Sequence, residues 1–207
     1  NSSKIAGGLY NPVILKRFSE VWQAQEQLDL LYSFYGNIEN KLGVKLDYRL
    51  ALLRKFYSVE EQNNWFTASD KPNLSKFLSI NLITKKWEAI DSPFNFGEVL
   101  HSGYLDTALL LEEYKKYLIE LNCYQDETFD YSQLNTNSEY VEYKNLKAKN
   151  IVFAEGFGML LNPFFSKLPL DGTKGELLLI KAPNLNVEVI VKPSIIIIPL
   201  GNNLYKL

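Results

Sequence analysis

Val187-Glu188-Val189-Ile190-Val191 and Ile195-Ile196-Ile197-Ile198-Pro199-Leu200-Gly201-Asn202-Asn203-Leu204-Tyr205-Lys206-Leu207 decide the fold class. Short β-branched runs broken by a Gly-Asn-Asn turn read as strands, the last folding back as a hairpin. Working outward, Glu176 to Ile180 and Tyr140-Val141-Glu142-Tyr143 also read as strands. Ile151-Val152-Phe153-Ala154 reads as a strand buried on both faces. Leu46 to Tyr57 reads as a strand region, with Arg54-Lys55 as a solvated interruption. Between these lie two helical patterns. The first runs from Ser19 to Leu42, with Val21, Trp22, Leu28, Leu31, Phe34, Tyr35, Ile38 and Leu42 on one stripe and Gly43 as its stop. The second runs from Asp106 to Asn122, with Leu109, Leu110, Tyr114, Tyr117, Leu118 and Leu121 as its buried stripe. Ser58-Val59-Glu60-Glu61 is a capping box opening a short helix to Phe66, and Lys71 to Phe96 reads as loops and short strands. The expected class is α+β, a mixed, largely antiparallel sheet with two long amphipathic helices.

The 207 residues suit one large domain or two small ones. At 46% hydrophobic and 22% charged, the composition is globular rather than disordered. A net charge of −2 argues against a broad nucleic-acid or anionic-lipid footprint. No apolar run approaches the ~20 residues of a membrane span. One cysteine, Cys123, excludes an internal disulfide framework and fits a reducing compartment, the cytoplasm. With one histidine, His101, a structural zinc site and any other metal site are not expected. The opening Asn1-Ser2-Ser3 and the alternating end at Leu207 read as a piece of a longer protein.

No acid–base constellation stands out. His101 reads as a polar residue at a loop end, without a nucleophile or orienting acid at triad spacing. Cys123 reads as a buried, inert thiol after a helix end. Glu112-Glu113 and Lys115-Lys116 read as a solvent face with helical ion pairs. Most of the 13 tyrosines and 12 phenylalanines read as core.

Two small-residue segments are more informative. Ala154-Glu155-Gly156-Phe157-Gly158 follows a hydrophobic run, where glycines let the backbone approach a ligand. Ser2-Ser3-Lys4-Ile5-Ala6-Gly7-Gly8-Leu9-Tyr10-Asn11-Pro12 has the same character. Together with Leu168-Pro169-Leu170, Lys174-Gly175-Glu176 and Ile198-Pro199-Leu200-Gly201, they resemble the D-amino-acid oxidase or glycine oxidase-like superfamily of FAD-dependent oxidoreductases.

The resemblance implies the following. Ser2, Ser3, Ala6, Gly7 and Gly8 line FAD from one side, and Ala154, Gly156 and Gly158 from the other. Leu9, Tyr10 and Asn11 lie at the substrate end. Residues 1–18 are a remnant of the FAD-binding domain, 19–143 the substrate-binding domain, and 144–207 a returning FAD-domain strand and turn followed by substrate-domain strands. The implied reaction is hydride transfer from an amine or amino acid to the flavin, with the imine product hydrolysed by water. The family's G-x-G-x-x-G fingerprint does not occur in this sequence, so the chain alone is expected to bind FAD weakly or not at all and to be inactive. Two alternatives remain at this level: a non-catalytic interaction module, and a flavin-dependent tRNA-modifying domain.

Overall fold

A computed structural model describes residues 2–207. Two compact units are present, one of residues up to Cys123 together with Leu177–Leu207, the other Tyr124–Glu176. Asn1, the first residue of the expected 1–18 segment, lies outside the described residues.

The larger unit opens with helix α1 (Ser2–Ile5), strand β1 (Leu9–Tyr10) and the hairpin of β2 (Val13–Ile14) and β3 (Ser19–Glu20). Helix α2 (Ala24–Leu42), β4 (Asp47–Arg49), β5 (Leu52–Lys55), α3 (Val59–Ser69) and β6 (Leu78–Ile83) follow. Then come β7 (Phe96–Val99), β8 (Gly103–Leu105) and α4 (Thr107–Glu120). The smaller unit holds β9 (Leu134–Thr136), β10 (Val141–Tyr143), β11 (Leu146–Ala148) and two 3₁₀ segments, Tyr131–Gln133 and Gly156–Leu161. The larger unit resumes with β12 (Leu179–Lys181), β13 (Ile190–Lys192), β14 (Ile198–Gly201) and β15 (Leu204–Lys206). The architecture is mixed α and β, with several small sheets rather than one large one.

In the larger unit the sheet orders are β1-β8-β4, β13-β5-β7-β6 and β12-β15-β14, antiparallel except for the parallel β13–β5 pair. Strand β5 explains how one sheet serves two cores. Side chains alternate across a strand, so Leu52 packs with Phe56, Trp65 and Ile190 on one face, while Leu53 packs with Trp87, Phe96 and Val191 on the other. Gly97 on β7 is required by this packing, because a Cβ there would come within 2.5 Å of the Trp65 ring. The Asn202-Asn203 turn between β14 and β15 carries positive φ at both residues, 51° and 61°, as a two-residue type I′ hairpin demands.

Helix signals hold at the predicted termini. Gly43 is left-handed (φ 68°), and its N–H donates to the Glu39 carbonyl at 2.8 Å. Asp106 caps α4 by accepting from Leu109 N at 3.0 Å, and Ser58 caps α3 by accepting from Glu61 N at 3.1 Å. The Glu61 carboxylate reaches back to Tyr57 N, one residue before the cap.

Several expectations are corrected. Helix α2 begins at Ala24, because Ser19–Glu20 pairs with β2 and Gln23 adopts a left-handed φ of 48°. Only Ala24 and Leu28 of α2 are buried, and Trp22 and Phe34 are exposed. No residue of α4 is buried, and Tyr114 and, at its C-cap, Leu121 are exposed, since the helix packs mainly against α1 and α2. Arg54 is no solvated interruption. It lies within β5 and pairs with Glu61 at 3.2 Å, so that strand and α3 are tied by charge. Cys123 is exposed, not buried. Lys116 bridges Glu112 and Glu113 at 2.8 and 2.7 Å, as helical spacing predicts.

Ile151–Ala154 forms no strand, and Val152 is 86% exposed. The smaller unit is organised by aromatic rings instead. Phe129 stacks on Tyr143 with centroids 4.2 Å apart, and Phe153 meets Phe129, Phe164 and Phe165 at 5.7 to 6.0 Å. Half-burying one ring, Phe153, in this aromatic cluster replaces the strand pairing that the apolar run lacks.

Candidate functional site

In the larger unit, strand β4 carries Asp47 and Arg49 two residues apart, and therefore on one face. Asp47 is only 3% exposed. Its two carboxylate oxygens are used separately: the Tyr10 hydroxyl donates to Oδ1 at 2.6 Å and Arg49 Nε donates to Oδ2 at 3.0 Å. The guanidinium carbon of Arg49 lies over the Tyr32 ring, 4.1 Å from its centroid. Asp47 from beside and Tyr32 from beneath thus fix the Arg49 head group.

The backbone leading into β4 is fixed too. Glu39 Oε1 accepts from Leu46 N and Asp47 N at 2.7 and 2.8 Å. Burial alone would raise the Glu39 carboxyl, but these donors together with Lys45 hold it below the usual carboxylate range. Burial first, and then the bond to Asp47, push the Tyr10 hydroxyl far above its ordinary value. Glycines make this approach possible. Gly8 sits at φ 67° with its α-carbon against the Leu105 carbonyl, and a Cβ on Gly103 would come within 2.5 Å of the Tyr10 oxygen.

Arg49 opens onto a cleft of about 410 Å³ that is also lined by Tyr32, Glu98, His101 and Ser102. Arg49 is still 59% exposed, so its outer N–H groups face the cleft with a charge fixed in position. Glu98 supplies the opposite charge from β7. Ser102 is occupied by the Leu50 and Val99 carbonyls at 2.9 and 3.1 Å. His101 is exposed at a loop end, with φ 58° and its ring edge-on to Phe77. The arrangement can hold a small zwitterion, with carboxylate to Arg49 and ammonium to Glu98.

No protein-family model matches this chain, and no solved structure matches it. Site chemistry therefore rests on the residues themselves.

The expected site residues are distributed as follows. Ser2 and Ser3 form α1, Ala6 accepts from Lys206 Nζ at 3.3 Å through its carbonyl, and Leu9 and Tyr10 pair with Tyr104 and Gly103. Gly7 meets only side-chain tips, Ile198 Cδ1 at 3.5 Å and Leu177 Cδ1 at 3.9 Å from where a Cβ would stand. Asn11 Oδ1 accepts from Val13 N, and Tyr10 and Asn11 line a small cavity of about 110 Å³ with Leu28 and Leu31. Ala154, Gly156 and Gly158 belong to the smaller unit. There Gly156 begins a 3₁₀ segment at φ 57°, next to Glu155, whose carboxylate accepts from the Tyr131 hydroxyl and from Asn162 Nδ2. Asp47, Arg49, Tyr32 and Glu98 were not singled out by sequence. The Asp-x-Arg alternation in a strand was the available signal, but its partners lie 37 and 17 residues away. Among the described residues no group of three or more His, Cys, Asp or Glu is placed to hold a metal ion, and no helix is long and apolar enough to cross a membrane.

Tyr104, beside this site on β8, gives the unit a measurable alkaline signature. Burial first, then Tyr48 and Asp106, push its hydroxyl up to about 12 from 10.0. The unfolded chain loses this proton near 10 while the fold retains it, so the contribution is complete below pH 10 and is lost as pH rises from about 10 to about 12. Phenolate absorbance of the chain minus that of Tyr104→Phe should show a step near pH 12; a step near 10 would contradict the burial argument.

Proposed function

We propose that this chain provides the substrate-binding part of an FAD-dependent oxidoreductase acting on an amine or amino acid, with amino acids favoured. The cleft that joins a fixed Arg49 to Glu98 carries the reading, because opposed charges on one small cavity suit an α-amino acid. The small-residue segment supports the cofactor side. Gly8 is demanded by its own fold, but Gly7 is not, since a methyl group there would meet only ordinary contacts. Its smallness is consistent with close approach by a flat ring system, and Ser2, Ser3, Ala6, Gly7 and Gly8 would line FAD from this side.

Bound FAD supplies hydride acceptance from the substrate Cα–H, giving an imine that water hydrolyses. The chain's own residues orient the substrate: Arg49 holds the carboxylate, Glu98 the ammonium group, and Tyr10 holds Asp47 and through it Arg49. Tyr10 is thus a positioning residue. The finer reading of the fold as a D-amino-acid-oxidase-like substrate domain, and a cytoplasmic location, belong to the same proposal; the free Cys123 suits a reducing compartment.

The test is to express this chain in its full reading frame and record its visible spectrum. The expected protein is yellow and is bleached anaerobically by an amino acid. Arg49→Met should raise KM for amino acids roughly 10- to 100-fold, the loss of a charged hydrogen bond, while sparing amines that lack a carboxylate. A colourless full-length protein free of FAD would overturn the assignment.

A further inference from the structure

Strand β4 has a second face. Tyr48 points opposite to Asp47 and Arg49 and pairs directly across the ladder with Tyr104 on β8. The two rings stack nearly parallel, 6° apart with centroids at 4.8 Å. They line a cleft of about 440 Å³ within the larger unit, whose rim carries Asn186, Glu188, Asn202 and Asn203.

The polar side chains at the rim of this cleft are exposed and unused. Among the described residues, the side chains of Asn186, Glu188, Asn202 and Asn203 make no hydrogen bond or ion pair, and neither do the Tyr48 and Tyr104 hydroxyls. Tyr104 is only 6% exposed, and its hydroxyl, which has no partner in the chain, is the part of the side chain open to the cleft. The backbone around the rim is tied down: Trp87 Nε1 donates to the Asn186 carbonyl at 3.2 Å, and Val187 N donates to the Tyr205 hydroxyl at 3.3 Å. Asn186, Asn202 and Asn203 all adopt left-handed φ, which glycine meets at least cost. Asparagine at all three places keeps an amide at the rim of the cleft.

The ligand chemistry follows from this set. An amide donates and accepts at once, as a sugar hydroxyl does, so three asparagines match vicinal hydroxyls. Glu188 and the phenols add acceptors and donors. The lining contains one carboxylate and no lysine or arginine, which selects against anions. Leu50, Val187, Pro199 and Leu200 supply an apolar floor for C–H surfaces. We propose that this cleft is a binding site for a neutral sugar, separate from the Arg49 cleft on the other face of β4 and independent of any flavin chemistry.

The purified chain is titrated with D-glucose, D-galactose and N-acetyl-D-glucosamine, with D-glucuronate as the charged control, by calorimetry and by saturation-transfer NMR. At least one neutral sugar should bind saturably and more tightly than glucuronate. Tyr104→Phe should weaken it about two- to tenfold, the loss of one neutral hydrogen bond, without lowering thermal stability, because the hydroxyl has no partner in the chain. The double variant Asn202→Gly/Asn203→Gly keeps the turn geometry and should abolish binding. Glu188→Gln should narrow the gap between glucose and glucuronate. Absence of saturable binding by all three neutral sugars overturns the proposal, as does equal affinity for glucuronate, or binding unchanged in the Asn202/Asn203 variant.

Discussion

Replacing Trp65 with alanine is expected to lower the unfolding free energy by about 3–5 kcal/mol. Trp65 is fully buried on α3, edge-on to Phe18 and Phe56 at 5.8 and 5.5 Å. Its ring lies against the α-carbon of Gly97, so β7 and α3 meet with no side chain between them. Its Nε1 donates to the Ser79 carbonyl at 2.9 Å, which also ties α3 to β6. Alanine would open a cavity among close-packed elements and leave that carbonyl without its donor. Trp65→Phe keeps much of the volume and should cost only about 1–3 kcal/mol. Urea unfolding followed by circular dichroism separates the two; a loss below about 1 kcal/mol for the alanine variant would mean that the core does not close over this ring.

Asp47→Ala is expected to be next, at about 2–3 kcal/mol, and its cause is electrostatic rather than volumetric. The carboxylate is buried and serves two donors, so its removal strands the Tyr10 hydroxyl and loosens Arg49. Arg49 retains solvent on its outer side, which keeps the cost below that of a fully buried pair. The pair has a distinctive thermodynamic signature. Tyr10→Phe in the Asp47→Ala background should cost about 1 kcal/mol less than Tyr10→Phe alone, because its partner is already gone. Additive losses in that cycle would show that Tyr10 and Asp47 are not coupled. In the flavoenzyme reading, Asp47→Ala should also weaken substrate binding through the loosened guanidinium.

Three helix caps were legible in the sequence because capping is local chemistry, whereas the start of α2, which has no side-chain cap, was not. Ser58, Asp106 and Gly43 act within three or four residues of themselves, and no distant partner decides their role. The Gly201-Asn202-Asn203 turn was legible for the same reason. The strands of the C-terminal region were placed correctly in order, but each was started three residues early. Their hydrogen-bonded spans begin at Leu179, Ile190 and Ile198, where partners in β15, β5 and β15 are available. Ile151–Ala154 shows the limit of composition: a run that reads as a strand becomes one only if another strand offers its ladder. The same limit applies to α4, whose apolar stripe is real but is left half-covered by α1 and α2.

Sequence alone determined the mixed α and β class of this protein, the caps at Ser58, Asp106 and Gly43 and the last hairpin, because those depend on neighbours along the chain. Only the tertiary structure decided which residues share a site. Tyr10, Tyr32, Asp47, Arg49 and Glu98 are scattered over nearly ninety residues, and nothing in their spacing marks them as partners. Pairing of β1 and β4 on either side of β8 brings Tyr10 to Asp47, and the packing of α2 brings Tyr32 beneath Arg49. The same pairing turns Tyr48 and Tyr104 to the opposite face, because side chains alternate along a strand, and so gives one short ladder two clefts of different chemistry.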